Sequence, residues 1–144
     1  MNRQEQSVPM WLMIFIWVSL LWNLLGVMNF FFQLTADPQS LAQMTEAQRQ
    51  MHASTPGWLT AVFGVAVISG VIGCGLMMLK RARAVPVLLL SLLAVLLQMG
   101  YAFTVQDVLG VLGAKAAILP VTVTLWALAL WLLSRRGVVQ GWLR

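Results

Sequence analysis

Charge is what this chain has least of. Only 9% of its 144 residues are Asp, Glu, Lys or Arg, against about a quarter in a soluble domain, while 60% are hydrophobic. That balance excludes a soluble fold and defines a membrane protein. Cysteine is nearly absent as well: Cys74 stands alone inside an apolar run, so a disulfide scaffold, a paired-cysteine redox relay and a four-cysteine metal site are all excluded. The single histidine, His52, lies outside every long apolar run, which leaves haem without an axial ligand in the membrane and a serine such as Ser69 without a histidine to activate it. No carboxylate falls near the middle of an apolar run, unlike the small proton-coupled multidrug exporters, which use one there. No cofactor or metal is expected, and the pattern points away from an enzyme.

What is present is a set of long apolar segments, residues 10–34, 58–79, 87–105 and 116–133. At 1.5 Å per residue they extend roughly 27 to 37 Å, enough to cross a hydrocarbon core of about 30 Å. Backbone polar groups in lipid must bond within their own segment, and none of these runs alternates as a barrel strand does. The expected fold is therefore all-α: a single polytopic membrane domain built as a four-transmembrane-helix bundle. The first run is longer than a signal-peptide core of roughly 7 to 15 residues and has no clear A-x-A site after it, so it is read as a retained helix.

The net charge of +5 gives orientation rather than a nucleic-acid partner. Arg3 precedes the first run, Lys80, Arg81 and Arg83 fill the second connection, and Arg135, Arg136 and Arg144 follow the fourth run, leaving only Arg49 and Lys115 in the other two connections. Short basic loops stay cytoplasmic, so both termini are expected inside. Trp11, Trp58 and Trp131 fall near segment ends as interfacial aromatics do, and Pro86 suits a first helical turn.

Residues 35–57 form the sizeable outer connection. Asp37 before Pro38 reads as an N-cap, and Thr45 with Gln48 as a capping box, so short helices are expected there, forming an amphipathic connector or a lid. In the other outer connection, "VLGVLG" between Asp107 and Lys115 is either an extra turn of the third helix or a segment dipping into the interface; Asp107 is expected to be solvated or paired with Lys115.

Each long run carries a polar side chain near its midpoint: Asn23, Ser69, Gln98 and Thr124. At about 100° per residue, Ser19, Trp22, Asn23, Gly26, Asn29 and Gln33 share one face of the first helix, and Ser91, Ala94, Gln98, Tyr101 and Ala102 one face of the third. Asn23 and Gln98 are expected to meet in a layer shared by all four helices. Ala66, Ser69, Gly70, Gly73 and Cys74 give the second helix a small-residue surface for close packing, and Gly26 does the same for the first. The ordinary interpretation of the polar residues is hydrogen bonding between helices. The alternative is a cavity for a neutral polar solute, in which Trp22 and Trp126 cover apolar faces while Asn23, Asn29, Gln98 and Tyr101 bind hydroxyls.

The stretches "LLWNLLGVMNFF", "TEAQRQMHASTPGW", "AVISGVIGCGLMML", "KRARAVPVLLLSLLAVLLQMGYAF" and "SRRGVVQGWL" together resemble a group of small four-helix bacterial inner-membrane proteins, some of which carry a sugar-transporter label. The resemblance implies a multi-pass inner-membrane location and marks Trp22, Asn23, Gly26, Ser91 and Gln98 for test; it supplies no established site residues. Two functions are carried forward. One is a small carrier or binding protein for a neutral polar solute such as a sugar, with membrane lipid around it and a homo-oligomer, expected as a dimer, required for transport. The other is an accessory subunit docking onto a larger membrane complex through the Ala66, Gly70 and Cys74 face. Nucleic acid is not an expected partner of either.

Overall fold

The structure is a computed structural model that describes residues 7–35 and 37–144, so Arg3 of the expected basic end lies outside the described residues. The described chain is helical, with four helices long and apolar enough to cross a membrane. These are α1 (Met10–Leu34), α4 (Gly57–Met78), α5 (Ala84–Thr104) and α7 (Ile118–Val139). Between α1 and α4 lie α2 (Pro38–Ala42) and α3 (Glu46–Ser54); α6 (Val108–Leu112) and a 3-10 turn over Ala114–Ala117 precede α7.

Local chemistry sets most of the boundaries. The Asp37 carboxylate accepts from the Ser40 amide at 2.8 Å, with Pro38 at the first helical position, and Thr45 and Gln48 form the reciprocal capping box. The "VLGVLG" segment is a separate helix. Asp107 turns the chain through a left-handed backbone (φ 45°), and its carboxylate caps α6 through the Gly110 amide at 3.2 Å. It makes no ion pair with Lys115; Arg49 with Glu46, at 3.2 Å, is the ion pair among the described residues.

The fourth helix continues well beyond residue 133, so Arg135 and Arg136 lie on it rather than after it. It ends where geometry, not polarity, stops it. Gly141 adopts φ 81°, the Trp142 amide donates to the Gly137 carbonyl at 3.1 Å, and the Gly141 amide to that of Val138 at 3.2 Å, a Schellman motif. The Trp142 ring then folds back on Gly137, where a β-carbon would overlap it. Helix α4 ends the same way with Lys80 in the left-handed position (φ 55°): the Arg81 amide donates to Leu76 and the Lys80 amide to Met77. The two terminations meet. The Arg144 amide donates to the Lys80 carbonyl at 2.9 Å, and the Ala82 amide donates to the Arg144 main-chain oxygen at 2.7 Å. The chain end is thereby tied to the α4–α5 connection, and Lys80, Arg81, Arg83, Arg135, Arg136 and Arg144 gather, all exposed, at what we term the basic end.

Around the bundle, α1 packs on α4, α4 on α5, and α5 on α7. Small residues make these approaches close. On α1, Asn23, Gly26 and Phe30 stand against Gly70, Val67 and Gly64 of α4, with a glycine in every pair; Gly73 of α4 receives Leu88 of α5. The Ser91 hydroxyl donates across to the Ala66 carbonyl at 2.7 Å. Ala66, Ser69, Gly70, Gly73 and Cys74 are all buried, so the small-residue surface is used up within the chain. The main core lies toward the basic end, where Leu12, Ile16, Cys74, Met77, Ala84, Leu88, Leu130, Trp142 and Leu143 form one cluster. Of the expected interfacial tryptophans, Trp11 and Trp58 are exposed near helix ends, whereas Trp131 lies further inside α7 with the Arg135 guanidinium 5.0 Å from its ring.

Candidate functional site

A cavity of about 310 Å³ lies between α1, α4, α5 and α7, above the basic-end core. Helical spacing assigns its walls. Trp22, Gly26 and Asn29 recur at i, i+4 and i+7 on α1, with Asn23 and Leu25 beside them; Ser91, Val95 and Gln98 repeat that spacing on α5. Phe63, Ala66 and Val67 come from α4, and Leu119, Val123, Trp126, Ala127 and Leu130 from α7. Leu88 and Leu130, members of the basic-end cluster, form its floor. Every lining side chain is uncharged, and apolar surface predominates.

Of the residues expected to meet a solute, Trp22, Asn23, Asn29, Gln98 and Trp126 all line this one space. Tyr101 does not. It lies one turn beyond Gln98, above the enclosed region, where its ring meets Trp58 edge-on at 5.4 Å and ties the far ends of α5 and α4. Gly26, of the expected packing set, contributes to the wall while accommodating Val67.

The expected layer of interhelical hydrogen bonds is not formed. Asn23 Nδ2 donates to the Ser19 carbonyl of its own helix at 2.8 Å, Ser69 bonds the Val65 and Ala66 carbonyls of its own helix, and Thr124 bonds Pro120 at 2.9 Å. A carbonyl one turn back is always within reach of a short polar side chain, which satisfies it without a neighbour. Asn23 and Gln98 share the cavity without bonding each other, and neither Asn29 nor Gln98 bonds any described residue through its side chain. Their amides therefore face a space in the membrane with donors and acceptors to spare, which favours a polar guest there.

Two bonds between helices occur instead near the middle of the bundle, and sequence reasoning did not find them. Besides Ser91 to Ala66, the Trp126 indole N–H donates to the Ser19 hydroxyl at 2.8 Å, and that hydroxyl donates onward to the Phe15 carbonyl at 2.6 Å. Trp126 also stacks on Phe15 with ring centroids 4.9 Å apart. This arrangement joins α1 to α7 and holds one indole as a fixed cavity wall. The available signal was the inward placement of Ser19 and Ser91, read only as polarity. Asn23 is fixed as well: its amide abuts Gly70, where a β-carbon would overlap it. The site thus consists of positioned amides and indole faces over an apolar floor, a set suited to hydrogen-bonding and stacking rather than to acid–base chemistry. Compared with protein-family models, with curated proteins and with solved structures, the chain has no match.

Proposed function

We propose that this protein binds a small neutral molecule within the membrane and, as a homo-oligomer, carries it. The observation that supports the proposal is the convergence of Asn23, Asn29 and Gln98 with Trp22 and Trp126 on a single uncharged cavity. Its volume, about 310 Å³, is at the small end of the range for ligand sites. A charged guest would have no counter-ion there, whereas a hydroxyl or amide would find partners. A sugar, as the family resemblance implies, is one member of this class. The closed basic half means that carriage requires that half to open; four helices with a solid floor give no continuous path. We place the protein in the bacterial inner membrane with its basic end in the cytoplasm, on the distribution of Lys and Arg. The docking function loses its proposed surface, because Ala66, Gly70 and Cys74 are covered by neighbouring helices.

Equilibrium binding to purified protein in lipid nanodiscs tests the proposal, using a panel of neutral probes that spans sugars, polyols and alkyl-bearing alcohols. At least one probe class should bind saturably, and Asn23→Leu should weaken it about tenfold, the effect of losing about 1.4 kcal/mol. Failure of every class to bind would sink the proposal.

A further inference from the structure

The cavity has a side. We propose that its ligand is a neutral amphiphile, one hydroxyl- or amide-type head on a single hydrocarbon or aromatic body, which reaches it sideways from the lipid between α1 and α7; this rests on the cavity being a binding site at all. Around the bundle, α1–α4, α4–α5 and α5–α7 pack along their backbones, whereas α1 and α7 are bridged by side chains toward the basic end, through Phe15, Ser19 and Trp126. Beyond that bridge the two helices contribute Leu25 and Leu119 to the cavity wall, and these side chains are 61% and 60% exposed. Wall residues that are also this exposed form a mouth. Both lie within helices long and apolar enough to span, so lipid chains are the neighbours this proposal gives the mouth. No residue of α2, α3 or α6 contributes to the lining.

The interior matches a guest arriving that way. The amides of Asn29 and Gln98 lie toward the far end, nearer the membrane surface, while Leu88, Val95 and Leu130 line the deeper part. A head held by amides with its body directed toward the apolar floor satisfies both. The volume, about 310 Å³, suits one chain or ring system rather than a two-chain lipid.

The test uses the full chain in phosphatidylcholine nanodiscs with two probes that share a head, 1-monododecanoylglycerol and glycerol. The first should bind saturably, one per chain, and the second at least about a hundredfold more weakly, because glycerol leaves the apolar walls uncovered. Leu25→Trp and Leu119→Trp, each placing a bulky ring at an exposed rim position, should slow association about tenfold, whereas Leu93→Trp, exposed on α5 away from the cavity, should not. Two rim variants are used so that failure of one to fold leaves the other. Binding of glycerol or a sugar without the chain-bearing probe, or association indifferent to both rim variants, overturns sideways access and leaves the cavity a binding site. Binding of no probe overturns the site as well.

Discussion

The two halves of this bundle are built differently. Toward the basic end, α1, α4, α5 and α7 converge on a core that includes Ile16 and Cys74, both 0% exposed, and the chain end returns to lock Trp142 and Leu143 into it. Toward the far end, α1 and α7 have no such bridge, and the space between them is walled mainly by apolar side chains into which Asn23, Asn29 and Gln98 bring amides. Polar side chains divide by depth as well: Ser19 and Ser91, near the middle of the bundle, take part in bonds between helices, while Asn29 and Gln98 farther out make none. The difference teaches that polarity inside a membrane bundle can do two jobs, and that its hydrogen-bond partners tell them apart. Substitutions in the basic half should therefore cost stability, and those around the cavity should cost binding.

The largest effect is expected at Trp142. Trp142→Ala empties a buried indole from the basic-end cluster and removes the contact with Gly137, and it should destabilise the protein by about 3 kcal/mol in a denaturing-micelle titration. Gly70→Ala comes next: its methyl group would occupy the Asn23 amide, so α1 must shift, at a cost of about 1 to 3 kcal/mol and with reduced ligand binding. Because Gly70 lies where the halves join, it should be the position that loses both. Ser91→Ala should cost only about 0.6 kcal/mol, since Ala66 keeps its bond from Ser69. Gln98→Leu should alter stability by less than about 0.5 kcal/mol while weakening a bound neutral probe about tenfold.

A last, smaller effect concerns the far connection. The Ser40 hydroxyl and amide bond the Asp37 carboxylate and hold its pKa below the ordinary carboxylate value. The folded value is depressed, so the α2 cap is fully present above the ordinary carboxylate range and is lost as pH falls through the lowered value. An NMR titration of the Ser40 amide should show a midpoint below that of an unstructured Asp peptide; an equal or higher midpoint would remove the cap from the account.

How much of this was legible in the sequence depends on what fixes each feature. Apolar runs located all four spanning helices, and the first matched its helix at both ends, because hydropathy and backbone satisfaction act on the same residues. The fourth was ended at Leu133, ahead of Arg135, because polarity marks where a segment leaves lipid, whereas Gly141 marks where the helix stops. Helical phase brought Trp22, Asn23, Asn29 and Gln98 to one space, since a face is a property of one helix. What those side chains bond to is not such a property. Asn23 found Ser19 one turn away rather than Gln98 across the bundle, and Tyr101, in phase with Gln98, lies a turn too far out. The return of Trp142 and Leu143 into the core, and the pairing of Arg144 with Lys80 and Ala82, depend on two helix ends meeting in space, which no local pattern encodes.

The central claim, that the far half holds an accessible cavity and the basic half a closed core, is tested most directly by thiol labelling in lipid. The native Cys74 reports the core, and Val123→Cys in a Cys74→Ser background reports the cavity while leaving its amides in place. With N-ethylmaleimide, the thiol at position 123 should react at least about tenfold faster than Cys74 and be protected by a bound neutral ligand. Equal, slow labelling at both positions would mean that the far half is as closed as the basic half, and would contradict the account.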